Sequence, residues 1–231
     1  MTRLTEQFEA GLHLAIDLHR KQARKATTIP YVSHLLGVAS LVLDDGGTEE
    51  EAVAGLLHDA IEDCHATREE FCAALGVEPG ERVYAIVEAC TDGLDEPVER
   101  DADSWWERKS TYLAQLQTAP RAALRVAAAD KLHNARAILT DLREHGPVVW
   151  ERFNADATMK LWYYRSAAAL ILERHPGALA TELAATVAEI ARVVDQHAEA
   201  ELDDDVVPAV FDCFIGGYMG TSYRVHLDGE V

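Results

Sequence analysis

Apolar residues recur at helical spacing along most of the chain. In the first segment, from about Thr5 to Arg24, Phe8, Leu12, Ala15, Ile16 and Leu18 form one stripe, and the basic run HRKQARK closes it. The stretch ATTIP breaks the pattern, and Pro30 opens YVSHLLGVASLVLDD, a mostly buried helix stopped by Gly46 and Gly47. Thr48 then reads as an N-cap, followed by Glu49, Glu50 and Glu51 where the helix dipole favours negative charge. This third helix is expected to run on through LLHDAIED, residues 56–63.

The remaining elements are predicted in the same way. Thr67 with Glu70 reads as a capping box for a short helix up to Gly76, and EPGERVYAIVEACTD supplies another. Residues 93–104 are polar, acidic and broken by Pro97, which predicts an exposed loop. A helix from about Trp105 to Gln117 follows, then a long one opened by Pro120 and closed by Gly146. PVVWERF reads as a short helix and 156–174 as a longer one. Pro176 and Gly177 separate these from a last helix ending near Leu202. The tail after it loses helical periodicity, and its aromatics are left to pack on the body or on a second subunit.

Composition narrows the class. The 231 residues are 48% hydrophobic, Ala-rich and poor in β-branched runs, which favours one all-α unit. A formal charge of −19 would repel a nucleic-acid polymer but leaves room for a small basic pocket. The four cysteines, Cys64, Cys72, Cys90 and Cys213, are scattered, so neither a zinc ribbon nor a disulfide framework is expected. With no signal-like N-terminus and no charge-free span of membrane length, the expected location is the cytoplasm, without membrane contact.

Candidate chemistry centres on residues 58–63. An apolar run ends by setting down His58, Asp59, Glu62 and Asp63, groups that are costly to bury without a partner or a metal. On a continuous helix His58 and Glu62 are i,i+4 neighbours, as are Asp59 and Asp63, so the four form two adjacent ridges. His34 and Asp130 interrupt two other apolar helices in the same costly way. If all meet at one ion, His34, His58, Asp59 and Asp130 offer two nitrogens and two oxygens, which suits Mn²⁺ or Fe²⁺ and admits Zn²⁺ or Co²⁺. The carboxylates one turn further on, Glu62 and Asp63, are placed to handle the proton of water. Asn134, one turn after Asp130, can reach the same pocket. His133 reads as a packing or hydrogen-bonding histidine. Trp105, Trp106, Arg108 and Lys109 are open to two readings, a lid or phosphate clamp and a solvated helix start, and Arg20 and Lys21 to added positive potential or a solvated terminus.

His34, then His58-Asp59, then Asp130 resembles the HD-domain metal-dependent phosphohydrolases. The wider text RK…PYVSH…GVA…LLHDAIED…ADKLHNAR resembles the hydrolase domain of the RelA/SpoT family and its stand-alone members, the small alarmone hydrolases, from about Phe8 to Leu172. The resemblance implies an HD-domain helical bundle over 1–175, with 176–231 as a C-terminal helix and tail of unassigned role. It implies Mn²⁺ on His34, His58, Asp59 and Asp130, with water oriented and deprotonated by Glu62 and Asp63. It also implies nucleotide contacts from Arg24, Lys25 and Asn134. The sequence departs from the family at Leu35, where Pro is usual, and at Ala137, where the long enzymes commonly have Thr.

The expected activity is hydrolysis of the 3′-diphosphate of a purine nucleotide alarmone, guanosine or adenosine, releasing pyrophosphate. Two alternatives stand beside it. One is another HD phosphohydrolase acting on a nucleoside monophosphate, a deoxynucleoside triphosphate or the 2′-phosphate of NADPH. The other is a silent alarmone-binding sensor. The expected partner is a small nucleotide, with a homo-oligomer through the C-terminal region as a further expectation.

Overall fold

The computed structural model describes residues 2–92, 102–152 and 157–204. Among these the chain forms ten α-helices and one 3-10 turn: α1 (Glu6–His19), α2 (Val32–Asp44), α3 (Glu49–Leu57), α4 (Ala60–Cys64), α5 (Arg68–Leu75), α6 (Val77–Cys90), α7 (Ala102–Thr118), α8 (Arg121–His145), the 3-10 turn Gly146–Arg152, α9 (Ala157–Arg174) and α10 (Ala178–Asp204). The all-α expectation holds.

Local chemistry accounts for most helix ends. Thr48 and Thr67 both make complete capping boxes, with Glu51 and Glu70 reaching back to the cap backbone. Gly146 ends α8 at a φ of 68°, a conformation that side chains with a Cβ rarely adopt. The helix beginning at Ala102 takes in the end of the segment expected as a loop, and residues 93–101 lie outside the described residues.

The core is built on α2, α3 and α8, with α6 closing one side and α1 another. Leu35, Val38, Val42, Leu56, Leu57, Leu124, Ala128 and Leu132 are fully or almost fully buried there. Alanines and Gly55 let α2 and α3 approach closely: a Cβ on Gly55 would stand 3.3 Å from the Ala39 Cα. The last helix, α10, lies along α8 and α9. Its junction with α9 is pinned by a largely buried polar cluster. Asp45 accepts from Arg125 Nε at 2.9 Å and contacts His175 Nε2 at 3.2 Å, and Arg125 also pairs with Glu51 at 2.7 Å. One arginine thus ties the end of α2 and the start of α3 to α8, and Asp45 joins them to the α9–α10 turn. The tail expected to mediate self-association, including Cys213, falls outside the described residues.

Two boundaries differ from expectation. α1 stops at His19, and residues 20–31 turn back on themselves through the bridge Ala23–Pro30 and the bond Arg24 N to Ile29 O, 2.9 Å. More important for chemistry, the helix through LLHDAIED is broken: α3 ends at Leu57, Asp59 takes φ −96° and ψ 0°, and α4 starts at Ala60.

Candidate metal centre

The break at Asp59 decides the geometry. Successive residues of an unbroken helix point about 100° apart, and the kink instead lets His58 and Asp59 aim at one place. His58 Nδ1 donates to Gly55 O at 2.9 Å, one of the carbonyls that the end of α3 leaves unpaired. That bond fixes the tautomer and leaves the Nε2 lone pair for something else. Nε2 lies 2.9 Å from Asp59 Oδ2 and 3.5 Å from Asp130 Oδ1, yet neither contact has the direction of a hydrogen bond, and the atom is buried without one.

α2 and α8 bring the other two groups. His34 Nε2 is 3.2 Å from Asp130 Oδ1 and 3.8 Å from Asp59 Oδ2. Neighbouring ligands about 2.0–2.2 Å from one ion stand about 2.8–3.6 Å apart across octahedral and tetrahedral arrangements. The donor atoms of His34, His58 and Asp59 all lie within 4.8 Å of one another, and Asp130 Oδ1 stands within 3.5 Å of both histidine nitrogens, one of which is the orphaned Nε2 of His58. The residues fit a divalent ion.

Each of these groups is oriented from behind. Tyr31 donates to Asp59 Oδ2 at 2.6 Å. Asp130 accepts from Lys131 Nζ on one oxygen and from Asn134 Nδ2 on the other, both at 2.6 Å. His34 Nδ1 lies 2.9 Å from His133 Nδ1, so with His34 donating, His133 accepts. Burial, then His34 and Arg24, hold His133 near 4, the neutral state an acceptor needs. Gly37 makes the space: a Cβ there would stand 2.3 Å from the His133 ring.

Charge is unevenly shared in the metal-free protein. Burial opposes ionisation of Asp59, but His58 beside it brings the carboxyl down to about 2. Burial likewise opposes ionisation of Asp130, and Lys131, His34 and His58 together more than offset it, holding the group well below the carboxylate range. His58 is pulled down by burial and pushed further up by Asp59 and Asp130, so it carries a proton that a metal ion would replace. Glu62 behaves differently. Burial first, then the charge of Asp59, raise it to about 7, with Lys109 opposing.

Of the nucleotide-contact candidates, Arg24 and Asn134 meet: Arg24 donates to Asn134 Oδ1 at 3.0 Å, which links the loop after α1 to α8. Lys25 is exposed in the same loop. Asp63 is exposed as well and accepts from Gln22 Nε2 at 2.7 Å. Lys109 is paired with Asp92 and lies over the Tyr163 ring, 5.1 Å from its centre, and Trp106 stacks on Trp162. Sequence reasoning missed Tyr31, Lys131 and Lys160. Tyr31 had a signal, since it lies one turn before His34. Lys131 had none beyond adjacency to Asp130.

Lys160 belongs to a wider cluster. Burial, followed by Lys109, Lys25, Lys131 and Arg108, lowers it to about 8. Lys131 and Lys109 both lie near the Tyr163 ring, and the Tyr163 hydroxyl and Arg108 Nε are buried without hydrogen-bond partners. Lys109 and Lys131 are already paired with Asp92 and Asp130, and the Tyr163 hydroxyl and Arg108 Nε beside them are donors of the kind an anion satisfies.

The comparisons with known proteins agree with the fold. The HD domain family matches residues 11–162. Guanosine-3′,5′-bis(diphosphate) 3′-pyrophosphohydrolase MESH1 of Xenopus tropicalis is 35% identical over 141 residues, 60% of this chain and 70% of the relative. A probable guanosine-3′,5′-bis(diphosphate) 3′-pyrophosphohydrolase of Synechocystis is 32% identical over 124 residues, 54% of this chain but only 16% of that much longer relative. Among solved structures, one described as a metazoan orthologue of SpoT that hydrolyses ppGpp and plays a role in starvation responses aligns with a TM-score of 0.63 at 27% identity. It covers 83% of this chain and 97% of that one.

Proposed function

The chain belongs to the HD-domain family, and from that premise we propose that it hydrolyses the 3′-diphosphate of a purine nucleotide alarmone, of the guanosine 3′,5′-bis(diphosphate) type, releasing pyrophosphate. The observation that carries this reading is the convergence of His34, His58 and Asp59, with Asp130 against both histidines, next to Lys25, Arg108, Lys109, Lys131 and Lys160 in a chain whose net charge is −19. So concentrated a positive charge on an acidic protein suits a substrate rich in phosphate. The named activity of the similar MESH1 supports the same substrate class.

His34, His58, Asp59 and Asp130 would hold the ion. Manganese is the assignment, because a mixed nitrogen and oxygen set with open positions suits it, and Fe²⁺, Co²⁺ or Zn²⁺ could take the same donors. Once bound, the ion supplies Lewis acidity to a phosphoryl oxygen and acidifies water. Glu62 takes the proton of the attacking water, with Asp63 orienting that water. The water's oxygen bonds to the phosphorus next to the ribose, the link from that phosphorus to the 3′ oxygen breaks, and the proton passes to the 3′ oxygen as pyrophosphate departs. Arg24, Lys25 and Asn134 hold the nucleotide, and the lysine cluster holds its phosphates.

The described cysteines, Cys64, Cys72 and Cys90, are free thiols, which supports a reducing compartment, and we place the protein in the cytoplasm. No described helix is long and apolar enough to cross a membrane. Product analysis by phosphorus NMR tests the function. Guanosine and adenosine 3′,5′-bis(diphosphates) should yield pyrophosphate. Orthophosphate from a nucleoside monophosphate or from NADPH, with both bis(diphosphates) left intact, would replace this reading by another HD phosphohydrolase.

A further inference from the structure

The basic run HRKQARK, which begins at the last residue of α1, contains His19 and Gln22, whose contacts lead back to the centre. His19 is 3% exposed at the C-terminal end of α1, where an imidazole would ordinarily sit in solvent and complement the helix dipole. Its Nδ1 lies 2.6 Å from Gln22 Oε1, and Gln22 Nε2 donates to Asp63 Oδ2 at 2.7 Å. The opposite face of the ring stacks on Tyr31, with centroids 5.3 Å apart and 24° between planes, and Tyr31 donates to Asp59. Cys64, the residue after Asp63, packs its Sγ 3.6 Å from His19 Nδ1.

We infer that His19 and Gln22 are positioning residues that hold the Asp63 carboxylate in its working direction. The chemistry of the chain of bonds is one-way. With a proton on His19 Nδ1, the amide oxygen of Gln22 must face His19, so its NH₂ faces Asp63. A proton on Nε2 alone would leave two acceptors facing each other at 2.6 Å, or turn the amide and set its oxygen against a carboxylate. Asp63 is itself exposed and would otherwise sample several rotamers. The buried ring therefore fixes through Gln22 a side chain that local packing does not fix.

The inference rests on the reading of Asp63 as a group that orients the attacking water, and the test separates the two. Turnover of guanosine 3′,5′-bis(diphosphate), bound metal and melting temperature are measured for the full chain and for Asp63→Asn, Gln22→Ala, Gln22→Glu and the Asp63→Asn/Gln22→Ala pair. Gln22→Ala should lower kcat about tenfold at unchanged KM and metal content. Gln22→Glu, which keeps the side-chain length but sets a carboxylate against Asp63, should fall further. The loss on Gln22→Ala should vanish once Asp63 is Asn, since nothing remains to be positioned. Independent, multiplying losses, or wild-type kcat in both Gln22 variants beside an impaired Asp63→Asn, would overturn the inference. Full activity in Asp63→Asn would overturn the reading of Asp63 beneath it.

Discussion

At Glu62, burial and the charge of Asp59 keep the proton on the carboxyl up to about pH 7, against an ordinary value of 4.5. Between those two values the unfolded chain has lost a proton that the metal-free folded protein retains. The stability from this group is therefore complete below about 4.5 and is lost as the pH rises through 7. Glu62→Gln removes the dependence. Thermal melts of metal-free protein should show the variant melting several degrees above wild type at pH 8 and level with it at pH 4. A wild type that melts higher at pH 8 would mean that Asp59 does not press on Glu62 as described. His58, Asp59 and Asp130 were legible as site residues because a buried charge among apolar neighbours needs an explanation. Lys131 and Lys160 were not, because a lysine on a helix has many ordinary uses, and Tyr31 had only its place one turn before His34 to mark it.

Among the elements, the join between α3 and α4 matters most. Its caps could be read: Thr48 starts α3, and Thr67 starts α5 just beyond α4. The break itself could not. No glycine or proline stands at 58–59, and every residue there is compatible with a helix. The bend has one local and one tertiary contact: His58 turns back to Gly55 O three residues before it, and Asp59 is held by Tyr31 from the segment before α2. The early end of α1 has a similar origin, in the bridge between Ala23 and Pro30. α2 and α8 depend on each other through Gly37. Gly37→Ala would push the His133 ring off His34 Nδ1, and isothermal titration should show metal affinity falling about 10–100-fold. Unchanged affinity would mean that His133 does not hold His34 in place.

Across the whole molecule, one charge arrangement lies near the start of α8 and another beside the candidate metal centre. Near the start of α8, Arg125 satisfies Asp45 and Glu51 together, and both carboxylates are nearly buried. Arg125→Ala should cost about 2–4 kcal/mol in denaturant unfolding while the transition stays single, because the α2, α3 and α9–α10 ends are joined at this one guanidinium. Two separate transitions would show that α10 unfolds by itself. Near the centre, Lys160 and its neighbours concentrate positive charge that the overall −19 conceals. Lys160→Ala should raise KM for a bis(diphosphate) about tenfold with a smaller change in kcat, as steady-state kinetics would show.

In the proposed mechanism one group of side chains holds the ion while another moves the proton. Bound metal and pyrophosphate release, measured side by side on wild type, Asp59→Ala and Glu62→Gln after loading with Mn²⁺, test that division most directly. Asp59→Ala should lose both the ion and turnover. Glu62→Gln should keep one ion per chain and lose turnover by about 10²–10⁴-fold. Wild-type turnover in Glu62→Gln, or an Asp59→Ala protein that holds its metal and still turns over, would contradict the account.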